Sequence, residues 1–250
     1  SYLDQIMISV RHLCELWIID HSTTIEESAS HSGGNSGLGG DIIYRWGNPS
    51  NYDRGTESDR ILDAPHGTVW IPDSYPSTGN ILIFNNRHNP NNSAVLEINP
   101  EFDEDSNSYM IEENLPYGPN DPSWIYQNNF YSQNQSGAFR LPNGNTIITV
   151  VTGDRIFEID ENGLLVWEYY YTDGGFIPRA MKYGMDYFSN PLIGDINQDS
   201  LIDVLDIIYV VNFIMGTTTP TLEQESTSDI NQDGAIDVLD VLLIINIIIE

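Results

Sequence analysis

The stretch DINQDSLIDVLD that begins at Asp195 is written again as DINQDGAIDVLD from Asp229. Over 22 residues from each start, twelve positions are identical, at a period of 34. A fixed internal period means that one structural unit is built twice, so this end of the chain folds as a tandem pair. Each copy sets oxygen side chains at the first, third, fifth, ninth and twelfth positions of a 12-residue loop, with a backbone carbonyl at the seventh. That is how a loop surrounds a hard divalent cation with about six to eight oxygens. The first copy offers Asp195, Asn197, Asp199, the Leu201 carbonyl, Asp203 and Asp206; the second offers Asp229, Asn231, Asp233, the Ala235 carbonyl, Asp237 and Asp240. Apolar runs over 204–215 and 238–249 follow directly and predict a helix after each loop. Acidic helix caps explain one or two carboxylates at such a boundary. They do not explain ten oxygen side chains at matched offsets, so two structural Ca²⁺ ions are expected.

Charge agrees with that reading. The chain carries 37 Asp and Glu against 9 Lys and Arg, a formal charge of −28. This sign argues against nucleic acid and anionic membrane surfaces, which need basic patches. It suits metal cations and a protein placed outside the cytoplasm: extracellular, periplasmic or at the cell surface. From Asp195 onward there are eleven acidic residues and no Lys or Arg. A single cysteine, Cys14, excludes an intrachain disulfide. The longest apolar run, 241–249, is half of the roughly 18 residues that a membrane span needs, and reads as a buried helix.

Before residue 190 the pattern is short apolar strands parted by Gly, Asn, Pro and Asp turns, an all-β signature. A looser repeat runs through it. TVWIPDSYPSTGNILIFNN…AVLEINP (68–100) parallels GAFRLPNGNTIITVVTGDRIFEIDENGLLVWEYY (137–170), each with a Gly-Asn turn and then Glu-Ile followed by Asn or Asp. An incomplete earlier copy reads DQIMISV…ELWIID…DIIYRWG and lacks its first strand. Units of about four strands recurring in one order are the pattern of a β-propeller, with the first strand of each sheet lining the axis; a β-sandwich is the alternative. A ring needs about 4–8 such units. The first residues already read as a strand, so further blades are expected upstream. The expected fold is mainly β, a partial propeller over 1–190 followed by a small helical calcium module over 191–250.

Two resemblances give these halves a meaning. The doubled loop–helix segment, about 194–250, resembles the dockerin module, a tandem of calcium loops that lacks the first helix of a full EF-hand and takes Asp at loop position 12. The resemblance implies a cohesin-like partner. Two features depart from the usual pattern. Position six, where Gly supplies a positive φ, is Gly234 in one loop but Ser200 in the other. The residues after position nine, which carry partner recognition in cellulosomal dockerins, are Val204-Leu205 and Val238-Leu239 rather than Ser-Thr.

The segments MISVRHLCELWIIDHSTT, LDAPHGTVWIPDSYPSTGNILIFNN, AFRLPNGNTIITVVTGDRIFEIDENGLLVWEY and PRAMKYGMDYF (178–188), in that order, resemble the bacterial arylsulfotransferase family. That family has a six-bladed propeller and moves a sulfuryl group from an aryl sulfate to a phenol without a nucleotide cofactor. The family's transient sulfuryl acceptor is a histidine, matched by His66 in APHGTVW, and its strand-end arginine is matched by Arg11 in ISVRH. The family's H-x-N pair lies upstream of that Arg and is not in this chain. A neutral imidazole is a competent nucleophile, and cations hold the oxygens of the transferred group. Two rival readings are a non-catalytic propeller that binds glycan or protein, and a component of polysaccharide breakdown. His12 reads as structural, and His21, His31 and His88 as surface loop residues. The glycine-rich run 33–40 reads as a flexible loop without phosphate-binding spacing. Trp46, Trp70 and Trp167 read as sheet-packing residues.

Overall fold

The computed structural model describes residues 3–103, 106–172, 175–184 and 192–249. The chain divides into two compact units, Ser1–Lys182 and Tyr183–Glu250. The expected boundary at 190–191 and the last residues of the 178–188 segment lie outside the described residues.

The first unit is mainly β. Strands β1 (Gln5–Val10) and β2 (Glu15–Asp20), the short helix α1 (Ile25–Ser28) and β3 (Ile42–Trp46) come first. Then follow β4 (Pro65–Trp70), β5 (Ile81–Asn89), β6 (Asn92–Ile98), β7 (Phe102–Asp103), β8 (Ser108–Tyr109) and β9 (Trp124–Tyr126). The last four are β10 (Gly137–Arg140), β11 (Thr146–Val150), β12 (Arg155–Ile159) and β13 (Leu165–Tyr170). They pair into sheets of order β1-β2-β3, β4-β5-β6-β9 and β10-β11-β12-β13, with β7-β8 as a separate hairpin. Among the described residues all pairings between these strands are antiparallel, and no sheet closes on itself. The three repeat copies read from the sequence are thus three successive sheets, and the first has three strands. The Gly-Asn turns behave as expected: Gly79 and Gly144 take φ of +80° and +88°, and Ile71 and Leu141 N–H close onto the carbonyls of Asn80 and Asn145.

The middle sheet is buried on both faces, which explains its long apolar runs. In β5, Ile81 and Ile83 join Leu16, Ile18, Tyr44 and Trp46 of the first sheet, while Leu82 and Phe84 join Ile148, Val150, Phe157 and Ile159 of the third. The period-two alternation therefore sends one strand into two cores. Strand β4 lies against both β1 and β10, so the first strands of successive sheets are neighbours. Glu97, facing the third sheet from β6, forms a buried ion pair with Arg140 of β10, whose Nη1 also donates to Thr146 Oγ1 at 2.7 Å.

In the run 33–40 a Cβ on Gly40 would stand 2.0 Å from the Ser28 carbonyl oxygen, and Asp20 accepts the Ser36 N–H. Two expectations are corrected here. His88 belongs to β5, which runs on to Asn89, and half-burial holds its imidazole below the usual pKa. Trp46 and Trp70 pack in the first core, but Trp167 stands 48% exposed on β13, where every residue is exposed.

The second unit holds α2 (Val204–Ile214), α3 (Leu222–Ser228) and α4 (Val238–Ile249). α2 and α4 pack together through Val210 and Ile244, both fully buried and 34 residues apart, with Ile196 completing the core. The predicted post-loop helices are these two. Helix α3 forms within the connecting segment, started by a reciprocal cap between Thr221 and Gln224. Among the described residues, no helix is long and apolar enough to cross a membrane.

Candidate functional site

The two acidic loops fold as copies of one another, bond for bond. Asp195 accepts the N–H groups of Asp199 at 3.1 Å and Ser200 at 2.8 Å; Asp229 accepts those of Asp233 at 3.1 Å and Gly234 at 2.9 Å. Asp206 accepts from Ile196 and Asp203, and Asp240 from Ile230 and Asp237. Asn197 donates to Asp199, and Asn231 to Asp233. Asp203 and Asp237 accept from Leu205 and Leu239 and so open the two helices. The position-six residues both take left-handed backbone, Ser200 at φ +71° and Gly234 at +87°.

Does this donor set suit Ca²⁺? Asp206 and Asp240 are fully buried, yet the second unit offers no Lys or Arg from Asp195 on to neutralise them. Buried carboxylates without a cationic partner are costly, and a hard cation removes that cost. Among the described residues no three His, Cys, Asp or Glu side chains stand close enough to form a metal cluster. The carboxylates turn instead onto backbone N–H groups, and the expected ligand set also draws on Asn side chains and backbone carbonyls. The oxygen chemistry and the uncompensated buried charge fit calcium. The residues that would hold it are those of the two loops, with the Leu201 and Ala235 carbonyls at position seven.

The other candidate residues meet at one end of the sheets of the first unit. His66 lies in β4 opposite Phe84, and the register slips between His66 and Val69. Such a bulge re-aims neighbouring side chains and recurs beside functional sites. Gly67 makes it possible: its φ is +57°, and a Cβ there would stand 2.6 Å from the Ser136 carbonyl oxygen. His66 Nδ1 lies 2.7 Å from Asn86 Oδ1 and 3.2 Å from the Ala64 carbonyl oxygen. Asn86 is fully buried within β5, and its Nδ2 donates to the carbonyls of Ser132 at 2.9 Å and Gln135 at 3.0 Å.

Arg11 follows β1 in the turn that leads to β2. Its Nη2 donates to the Gln133 carbonyl at 3.4 Å, and its Nε is buried with no partner. Among the described residues Arg11 makes no ion pair, in a chain where acids outnumber bases fourfold. His66, through Asn86, and Arg11 therefore converge on one segment, 132–135. Neither Asn86 nor this segment was legible beforehand as part of a site. The one signal was position: Asn86 aligns with Val151 of the next copy of the repeat.

Comparison with known proteins bears on the two units unequally. No curated protein matches the chain. Among solved structures the chain is similar to a streptogramin B lyase, at 12% identity and a TM-score of 0.33, covering 70% of this chain and 39% of that one. It is similar to virginiamycin B lyase from Staphylococcus aureus at 13% identity and a TM-score of 0.31, covering 68% and 39%. A protein of unknown function from Bacteroides caccae gives 13% and 0.28, covering 67% and 58%. The chain spans 39% of the length of each of the two lyases. At these TM-scores the likenesses carry no argument about fold or chemistry. Residues 193–249 match the family model of the Dockerin type I domain, which agrees with the doubled loop–helix geometry. The C-terminal unit is a dockerin type I domain.

Proposed function

We propose that the first unit is the C-terminal part of a six-bladed propeller that transfers sulfuryl groups from aryl sulfates to phenols, held in place by its calcium-dependent dockerin. The observation that carries the reading is the hydrogen bonding of His66. Both neighbours of Nδ1 are oxygen acceptors, so the ring proton sits on Nδ1 and leaves the Nε2 lone pair free. A neutral imidazole with a free nitrogen is what nucleophilic catalysis requires.

In the proposed reaction the Nε2 lone pair forms a bond to sulfur while the S–O bond to the aryl group breaks, and the electron pair leaves with the phenolate. The ring keeps its Nδ1 proton and carries the sulfuryl group as a transient N-sulfo imidazolium. The acceptor phenol oxygen then bonds to sulfur, the N–S bond breaks, and the acceptor's proton goes to the departed phenolate. Arg11, which makes no ion pair among the described residues, would take the equatorial oxygens, for which a guanidinium fork is suited. No nucleotide enters either step.

In this reading the dockerin tethers the chain to a cohesin-bearing partner outside the cytoplasm or at the cell surface. The faces that follow the two loops, Val204-Leu205 and Val238-Leu239, are each more than half exposed and apolar, so a matching apolar surface on the cohesin is expected. The test is transfer from 4-nitrophenyl sulfate to a phenol by the full polypeptide that carries this chain. Release of nitrophenolate that depends on both the acceptor and His66 supports the reading. Absence of transfer, or transfer unchanged in His66→Ala, overturns it and favours a binding propeller.

A further inference from the structure

We propose that Asn86 is a positioning residue that fixes His66 as the Nδ1–H tautomer. Its catalytic consequence rests on the sulfuryl-transfer reading, but its structural content does not. Free histidine favours the proton on Nε2, so a histidine that must present a bare Nε2 has to be held against its own preference. A single acceptor could do this only if its own orientation were fixed. Asn86 has that property. Turning its amide over would set an oxygen against the Ser132 and Gln135 carbonyls, losing both of those bonds, and would offer Nδ1 an NH₂ that only the Nε2–H tautomer accepts.

The surrounding backbone is bent to serve this pair. Ala64 and Gln135, the residues whose carbonyls face His66 and Asn86, take left-handed φ of +53° and +52°, and Ser136 takes +76°. None of them is glycine, and such backbone persists only where its surroundings demand it. Ser93 closes the arrangement, donating to the Asn86 carbonyl at 2.7 Å and accepting the Ser132 N–H at 2.9 Å. The next copy of the repeat shows that sheet geometry does not require this. There the positions of His66 and Asn86 are Ser136 and Val151, joined by a single bond from the Val151 N–H to Ser136 Oγ at 3.1 Å. The buried amide is present where the histidine is, and replaced where the histidine is replaced.

The experiment is a long-range ¹⁵N–¹H correlation spectrum of the chain labelled at its five histidines, with His66 assigned by loss of its signal in His66→Gln. The expected result is an Nδ1–H pattern for the neutral ring of His66. In Asn86→Leu that pattern gives way to Nε2–H, and kcat for sulfuryl transfer falls at least tenfold with KM for the donor kept. Asn86→Asp retains the acceptor: it keeps Nδ1–H and moves the pH profile upward, because a carboxylate favours the imidazolium. This variant reads the proposal if Asn86→Leu does not fold. A wild-type His66 with the proton on Nε2, or an Asn86→Leu spectrum unchanged from wild type, overturns the proposal. The expected tautomer behaviour without any transfer leaves the positioning role standing and removes the sulfuryl-transfer reading instead.

Discussion

Ser200 and Gly234 are the same position of two loops whose other hydrogen bonds match, so exchanging them isolates one physical effect. Both residues are left-handed, at φ +71° and +87°. A side chain at such a φ is strained, whereas glycine meets it freely but loses more conformational entropy on folding. The balance favours glycine by about 0.5–1 kcal/mol, roughly 2- to 5-fold in a binding constant when the loop orders around its ion. Nothing lies within 4 Å of the Cβ that a residue at Gly234 would carry, so Gly234→Ser introduces the backbone term without a clash. Ser200 is exposed, and only its backbone N–H, which glycine keeps, is bonded to Asp195. Calorimetric Ca²⁺ titration of the wild type should therefore resolve a tighter second loop and a weaker first. Ser200→Gly strengthens the first site 2- to 5-fold, Gly234→Ser weakens the second by as much, and the double exchange interchanges them. Equal affinities in the wild type, or variants that leave both constants unmoved, would refute the strain argument. A titration that finds no site at all would remove the calcium assignment itself.

Arg140→Met leaves Glu97 buried without its cation, and a broken buried pair costs about 3–5 kcal/mol; scanning calorimetry should show the first unit melting roughly 10 °C lower. Most of that loss should return in the double variant Glu97→Leu/Arg140→Met, and failure to recover would show that the pair does more than neutralise itself. Burial pushes the Glu158 carboxyl up, but hydrogen bonds from Asn145 and Lys182 outweigh it and hold its pKa below 4.5. A depressed carboxylate contributes stability above its unfolded pKa and loses it as pH falls through the folded value. Thermal melts should therefore weaken below pH 4.5, and this acid-sensitive part should shrink in Lys182→Met. Chelation with EDTA should cost far-ultraviolet helical signal from α2 and α4 while the β signal of the first unit stays, because the two expected calcium loops lie in the second unit and open those two helices.

What could be read from the sequence was what is local in it. The calcium loops were legible because every ligand lies within twelve residues and the pattern is written twice. The sheets were legible where a Gly-Asn turn joins two apolar runs, as at Gly79-Asn80 and Gly144-Asn145. Strand β9 was not, because a long insertion and the β7-β8 hairpin separate it from its partner β6. The start of helix α3 is written locally, in the Thr221-to-Gln224 capping pattern. His66 and Arg11 could be singled out only by resemblance. Asn86 had only its place in the repeat as a signal, since its role depends on carbonyls 46 and 49 residues away. Trp167 shows the opposite failure: its strand looks like a packing strand, and its ring stacks on Tyr169, yet among the described residues both remain about half exposed.

Glu97 and Glu158 each take a hydrogen bond from the turn asparagine of their own sheet, Asn80 or Asn145, at 2.7 Å, and a cation from residues that follow that sheet in the chain. For Glu97 the cation is Arg140 of β10; for Glu158 it is Lys182, beyond the last strand. This sets where the polypeptide can be cut. A fragment ended after β13 would keep every strand of the third sheet and still strand a nearly buried anion inside it. A domain boundary drawn from strands alone would fall a dozen residues too early; the shortest sound version of this unit ends no sooner than Lys182.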